Sequence, residues 1–267
     1  MTRFIHLTDL HLSHPSRNDP QMKTDTSGAL TRAVAAINAM DPLPDFVVCS
    51  GDLTNQGDPE SYGLLDELLA PLRVPVLLAL GNHDKREAFH VTRDRTGDAP
   101  YVHETVLAGL HVITLDTLVP GRVAGAIDEG QFDWLAGALD NHAGLPKLIV
   151  LHHPPCVDPD GLPWAALDMA STDRLAGLVQ GRGVIGMLSG HIHMNRVSLW
   201  HGIPLVVSIG LNSTVDLLER SDMRIVEGTG FCICTLRDSG LTVTFAPMTP
   251  EPRLLGVIDQ ARLRAFS

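Results

Sequence analysis

Short apolar runs punctuate the first three quarters of the chain: "RFIHL" (3–7), "DFVVCS" (45–50), "VPVLLAL" (74–80), "HVITLD" (111–116), "KLIVLHH" (147–153) and "VIGMLS" (184–189). Their length and their richness in Val, Ile and Leu predict strands buried on both faces. Between them lie segments with helical spacing. In residues 24–40, Ala29, Ala33, Ile37 and Met40 mark one face, and Asp25, Thr26 or Ser27 can supply the N-cap. Residues 58–72 repeat the pattern with Asp58 as cap, Pro59 at the first helical position and Pro71 near the stop. Residues 128–140 predict a third helix and 171–180 a fourth. From about 196 onward the pattern changes to strands joined by turns, one hairpin through His201 and Gly202 and another through Asp238, Ser239 and Gly240. Alternating β and α segments followed by hairpins predict an α/β layered fold.

Composition narrows this picture. The 267 residues hold no linker-like tract and no internal repeat, so a single domain over 1–267 is expected. Hydrophobic residues at 44% and charged residues at 19% suit a sizeable core. No apolar run reaches the roughly 18 residues of a membrane span, and the N-terminus lacks a signal-peptide pattern, so the expected location is the cytoplasm. Four cysteines, Cys49, Cys156, Cys232 and Cys234, form no metal-type or disulfide-type spacing and read as reduced thiols. A net charge of −11 disfavours nucleic acid polymers and anionic membranes as partners. Thirteen histidines beside two tyrosines point to metal chemistry, since imidazole is the commonest metal ligand.

The polar residues at the strand ends sharpen that hint. Asp9 and His11 follow the first strand, Asp52 the second, Asn82 the third, His152 the fifth, and His191 and His193 the sixth. Carboxyl ends of parallel strands are where α/β sheets bind ligands. Each group alone has an ordinary reading: "TDLH" and "SGDLT" as turns, "GNHD" as a turn entering a helix with Asp84 near its N-cap. Five strands delivering metal-competent side chains to one edge do not. His6, His14, His90, His103, His111, His142 and His201 lack such a pattern and are read as surface or satisfied core residues.

Taken together, "DLH", "GDLTN", "GNHD", "LHHPP" and "GHIH" resemble the calcineurin-like metallophosphoesterases, and among them the bacterial class III cyclic nucleotide phosphodiesterases and the related glycerophosphodiesterases. The resemblance spans residues 9–193. It implies a four-layer αββα sandwich, two central mixed β-sheets flanked by helices. It also implies two transition metal ions, with Asp9, His11 and His193 on one, Asn82, His152 and His191 on the other, and Asp52 bridging. His83 would reach the substrate. Imidazole and carboxylate together suit Fe, Mn, Zn or Co. Two such ions outweigh the two carboxylates, which explains how an acidic chain could attract a phosphate ester.

The expected reaction is hydrolysis of a small phosphodiester. Coordinated water, its pKa lowered from about 15.7 towards about 7, would supply the hydroxide, and His83 would protonate the leaving oxygen. A phosphomonoesterase or nucleotide pyrophosphohydrolase on the same core is the alternative, and a non-catalytic scaffold a more distant one. His153 is read as an orienting or packing residue, and Asn55, Arg17 and Asn195 as loop-stabilising residues. Trp164 in "LPWAALD" is read as capping the core, with a lid or a subunit interface as the alternatives. Segments 12–25, 154–170 and 210–224 are expected to shape the pocket or a contact between copies, and the chain is expected to be a homo-oligomer, dimer or higher.

Overall fold

The structure is a computed structural model that describes residues 1–218 and 223–248. The expected contact segment therefore falls partly outside the described residues, at 219–222, as does the end of the chain, 249–267.

Four helices start on an aspartate whose side chain accepts a backbone N–H three residues on. Asp25 accepts from Gly28 at 2.8 Å to open α1 (Thr26–Asn38), which settles the choice among its three candidate caps. Asp58 accepts from Ser61 at 3.0 Å to open α2 (Pro59–Leu69), with Pro59 in the first turn as expected. After α3 (Arg86–Val91), α4 (Glu129–Asp140) begins at Asp128 and α5 (Met169–Val179) at Asp168. The last of these starts two residues before the predicted 171, because Asp168 rather than a later residue is the cap.

The strands form two sheets. β1 (Thr2–Leu7), β2 (Phe46–Ser50) and β3 (Val76–Ala79) run parallel, and the hairpin β12 (Gly230–Arg237) and β13 (Gly240–Pro247) adds antiparallel strands beside β1, giving the order β13-β12-β1-β2-β3. The second sheet comprises β4 (His103–Leu107), β5 (Leu110–Thr114), β6 (Lys147–Val150), β7 (Val184–Ser189), β8 (Arg196–Trp200) and β9 (Ile203–Val207), in the order β4-β5-β6-β7-β9-β8. A two-stranded ribbon, β10 (Thr214–Val215) with β11 (Ile225–Val226), stands apart from both.

Side-chain alternation sorts the apolar residues into three layers. Ile5, Leu7, Val47 and Cys49 turn outward onto α1 and α2. Ile113, Ile149 and Met187 turn outward from the second sheet onto α4 and α5. Phe4, Phe46 and Val48 face Val112, Leu148, Val150 and Leu188 in the layer between the sheets, where Cys232 and Cys234 also lie. The result is helix, sheet, sheet, helix, the expected four-layer sandwich with mixed sheets.

The histidines read as non-ligands are accounted for. His6 lies between the sheets and pairs with Ser50 Oγ at 2.8 Å. His90 and His103 each bond a backbone carbonyl, His111 pairs with Glu104, His14 bonds Ser16, and His142 and His201 are exposed. Among the described residues no helix is long and apolar enough to cross a membrane.

Candidate metal centre

The loops after β1 and β2 extend the pairing of their strands: Asp9 N–H donates to Gly51 O at 3.1 Å, His11 N–H to Asp52 O at 2.9 Å and Leu12 N–H to Leu53 O at 3.1 Å. Within this extension Asp9, His11 and Asp52 adopt left-handed backbone, with φ of 50°, 43° and 47°, and His191 and His193 do the same after β7 at 73° and 48°. Such φ values cost non-glycine residues about 1–3 kcal/mol each and cluster at functional sites. Here they re-aim side chains that would otherwise alternate across a strand.

The side chains converge. His193 Nε2 lies 3.3 Å from Asp9 Oδ1 and 3.1 Å from His11 Nε2, while His11 Nε2 lies 3.6 Å from Asp52 Oδ2. His152 Nε2 lies 3.2 Å from the same Asp52 oxygen and 4.0 Å from Asp9 Oδ1. Asp9, Asp52 and His152 are essentially inaccessible to solvent. Close packing makes this possible: a Cβ on Gly81 would stand 2.2 Å from Asp52 Oδ1, and one on Gly190 would stand 2.3 Å from Asp9 Oδ2.

Each imidazole has its tautomer set by an acceptor behind it. His152 Nδ1–H donates to Ser50 O at 3.0 Å, His193 Nδ1–H to Ser213 O at 3.0 Å and His11 Nδ1–H to Asn55 Oδ1 at 3.1 Å, which turns their Nε2 atoms inward. His191 is reversed: its Nε2–H donates to Trp164 O at 2.7 Å, leaving Nδ1 with the lone pair. His152 Nε2 meets the Asp52 carboxylate at 3.2 Å, and Asn82 Oδ1 is buried without a hydrogen-bond partner. Buried polar atoms left in this state signal a missing partner. Oxygen and nitrogen donors without thiolate match the donor set of a borderline transition metal.

The calcineurin-like phosphoesterase family model matches residues 2–195. The chain belongs to this family. A relative named "probable cyclic nucleotide phosphodiesterase" from Rhodococcus erythropolis is 34% identical over 85% of this chain and 77% of its own length. Another, named "probable glycerophosphodiester phosphodiesterase" from Arcobacter nitrofigilis, is 26% identical over 82% of each. Among solved structures, a dimetal phosphatase from Danio rerio superposes with a TM-score of 0.68 at 16% identity, over 92% of this chain and 96% of that one, a likeness of fold. The chain is thus a hydrolase of the metallophosphoesterase family.

In this phosphoesterase several residues have larger parts than their sequence context suggests. Asn55, read as a loop residue, orients two histidines: its Oδ1 faces His11, its backbone O accepts from His83 Nδ1 at 2.9 Å, and its amide donates to Asp19 and Gln21. Trp164 does not cap the core. It lines a cleft of about 550 Å3 above His11, Asp52, Asn82, His83, His191 and His193, and its carbonyl fixes His191. Asp84 caps no helix. It accepts from the N–H groups of Gly81, Leu53 and Thr54 and from the hydroxyls of Thr54 and Tyr62, which locks the turn presenting Asn82 and His83. His153 spends both ring nitrogens on Thr117 Oγ1 at 2.7 Å and Val123 O at 2.9 Å, so it packs behind the cluster. Asn195 bonds Ile209 N–H as a loop residue, and Arg17 lies 3.8 Å from Asp58, the cap of α2.

The charges follow from these contacts. Burial alone would raise the Asp9 and Asp52 carboxyls, but His193 and His152 hold both well below the usual range. Burial would lower His152, yet contact with Asp52 lifts it to about 9. Burial dominates at His11 and His191, each pushed down to about 4. Asp84, buried and facing the charge of Asp52, rises to about 6.

Proposed function

We propose that this phosphoesterase hydrolyses a small phosphodiester at a dinuclear metal centre. Asp9, His11 and His193 would hold one ion, Asn82, His152 and His191 the other, and Asp52 both. The observation that carries this reading is the inward aim of Asn82 Oδ1, buried without a hydrogen-bond partner, beside two carboxylates and imidazoles whose outer nitrogens are already committed. When bound, the ions would supply Lewis acidity and activated water at neutral pH.

The chain's own residues supply the rest. His83 donates its Nδ1–H to Asn55 O, so in its imidazolium form the second proton sits on Nε2, the atom free to deliver it to a departing alkoxide. Its backbone N–H donates to Asp52 Oδ1 at 2.8 Å, which ties the proton donor to the shared carboxylate. The cleft above is walled by Leu162, Trp164, Met194, Val215, Leu217 and Ile225, with Gln21, Asn212 and Arg196 beside them, a largely apolar surround with a few polar groups that suits a nucleobase better than a glycerol. The names of the relatives include both classes, and the cleft favours the cyclic nucleotide type. Exposed Val197 and Leu199 on the edge strand β8 support self-association.

Metal-reconstituted protein, its metal content measured independently, tests this against bis(4-nitrophenyl) phosphate, 4-nitrophenyl phosphate, 2′,3′- and 3′,5′-cyclic nucleotides and glycerophosphodiesters. Turnover of the diesters is expected. Activity on monoesters alone would overturn the diesterase reading, and no turnover by protein carrying two metals would restore the scaffold. His83→Ala should lower kcat about 10²–10⁴-fold on diesters with poor leaving groups and far less on nitrophenyl esters, with metal content unchanged.

A further inference from the structure

A second cleft, of about 390 Å3, opens on the other side of His83. It shares Asn55, Asn82, His83 and Val123 with the first, so the two meet at the cluster. Their linings differ in charge. The larger sets Arg196 and Arg224 against Asp52 and Asp216 among apolar side chains, whereas the smaller is lined by Gln56, Lys85 and Arg122 and by no acidic residue. Both cations are exposed, and neither side chain has an ion pair or hydrogen bond among the described residues. In a chain of net charge −11, two unpaired cations flanking one cleft form a local anion trap.

Neither cation stands on a loose segment. The stem of Lys85 packs on Gly57, where an added Cβ would meet Lys85 Cγ at 2.6 Å, and its backbone N–H donates to Tyr62 Oη at 3.0 Å. Arg122 precedes Val123, whose carbonyl is held by His153 at 2.9 Å, and its own N–H closes a turn onto Val119 O at 3.0 Å. The buried histidine that is no ligand thus anchors the loop bearing one of the two charges.

A 3′,5′-cyclic nucleotide ties both ester oxygens of its phosphate to one ribose, and one cleft accommodates it. A linear diester has two separate arms. We propose that Lys85 and Arg122 form a subsite for the second arm, and that the enzyme takes linear phosphodiesters in which that arm carries a further anionic group, a phosphate or carboxylate. The proposal rests on the phosphodiesterase reading above. In the reaction a water oxygen bonds to phosphorus and the P–O bond to one arm breaks. The departing oxygen takes a proton from His83 Nε2, His83 recovers one from water, and the second water proton is lost to solvent as the product ionises.

The test compares adenylyl-(3′→5′)-adenosine with its 5′-phosphorylated form on the metal-loaded enzyme. KM for the phosphorylated dinucleotide should be about tenfold lower, the scale of two charge-assisted contacts to phosphate. Lys85→Gln with Arg122→Gln should bring the two KM values within about twofold, and Lys85→Glu with Arg122→Glu should reverse the preference, in protein with wild-type melting and metal content. Equal KM values in the wild type, or a preference that survives the double glutamine variant, would overturn the proposal. If bis(4-nitrophenyl) phosphate is also not hydrolysed, the underlying diesterase reading has failed; if it is hydrolysed, only the subsite has.

Discussion

Gly81→Ala tests whether packing around the carboxylates sets the geometry of the centre. A Cβ at this position would lie 2.2 Å from Asp52 Oδ1, 2.4 Å from Asp52 N and 2.8 Å from His152 Cδ2. Cβ contacts below 3.0 Å are essentially never seen, so the carboxylate oxygen would have to retreat by about 0.8 Å. It is not a flexible end: Oδ1 receives the His83 N–H at 2.8 Å, and Asp52 sits in left-handed backbone with its carbonyl bonded to His11. The shift therefore passes to the proton donor and to the neighbouring ligand loop. Overpacking of this kind costs about 1–3 kcal/mol, which for a chain of this size lowers the melting temperature by about 2–10 °C. A displacement near 1 Å costs catalysis about 10²-fold. Gly63 and Gly137 provide matched controls in α2 and α4, since an added Cβ meets nothing within 4 Å at either, and alanine there should stabilise by about 0.5–1 kcal/mol. The assays are thermal unfolding, metal content by plasma mass spectrometry and kcat on bis(4-nitrophenyl) phosphate. If Gly81→Ala keeps both metals and a kcat within twofold of wild type, steric definition of the site by this glycine is refuted.

Three further outcomes follow from the geometry. His191→Ala and His193→Ala should each retain about one metal equivalent but different ones, distinguishable by the absorption of the cobalt-substituted proteins; identical spectra would contradict the division of ligands. His152 has a folded-state pKa raised to about 9 by Asp52, so the stabilisation of the metal-free protein by this pair is complete below pH about 6.5 and is lost as pH rises through about 9. Metal must displace the same proton, and its affinity should therefore rise between pH 7 and 9, with proton release visible by calorimetry in buffers of different ionisation enthalpy. Arg86 grips the fully buried Asp116 through two bonds, at 2.7 and 3.0 Å, and Arg86→Met should cost about 3–5 kcal/mol in denaturant unfolding by stranding that carboxylate.

The strand runs and their polar termini were legible because burial on both faces leaves continuous Val, Ile and Leu runs, and the side chains that leave those strands are abrupt departures from them. The cap at Asp58 was legible from Pro59 directly after it, whereas Asp128, the first residue of its predicted helix, caps that helix instead. Strand β4 was not, because "HETVL" carries no alternating or continuous apolar signal, and α3 spans six residues without a side-chain cap. The supporting residues of the candidate site were hidden for a different cause. Trp164 serves His191 through a carbonyl, which any residue possesses, and Asn55 meets His11 across 44 positions of sequence. Asp84 occupied the place of a helix cap in the sequence while its side chain folds back to three N–H groups on two loops. His152 and His153 are neighbours of one kind, and only their partners in space tell them apart.

The left-handed backbone at Asp9, His11, Asp52, His191 and His193 also fixes an order of events in the life of the molecule. In the unfolded chain these residues are spread from 9 to 193 and favour other conformations, so the full donor set lies far apart along the chain. The cradle exists only after both sheets have met. On the proposed reading, metal would board a finished fold: it should leave the rate of refolding unchanged and act on the rate at which the folded protein comes apart.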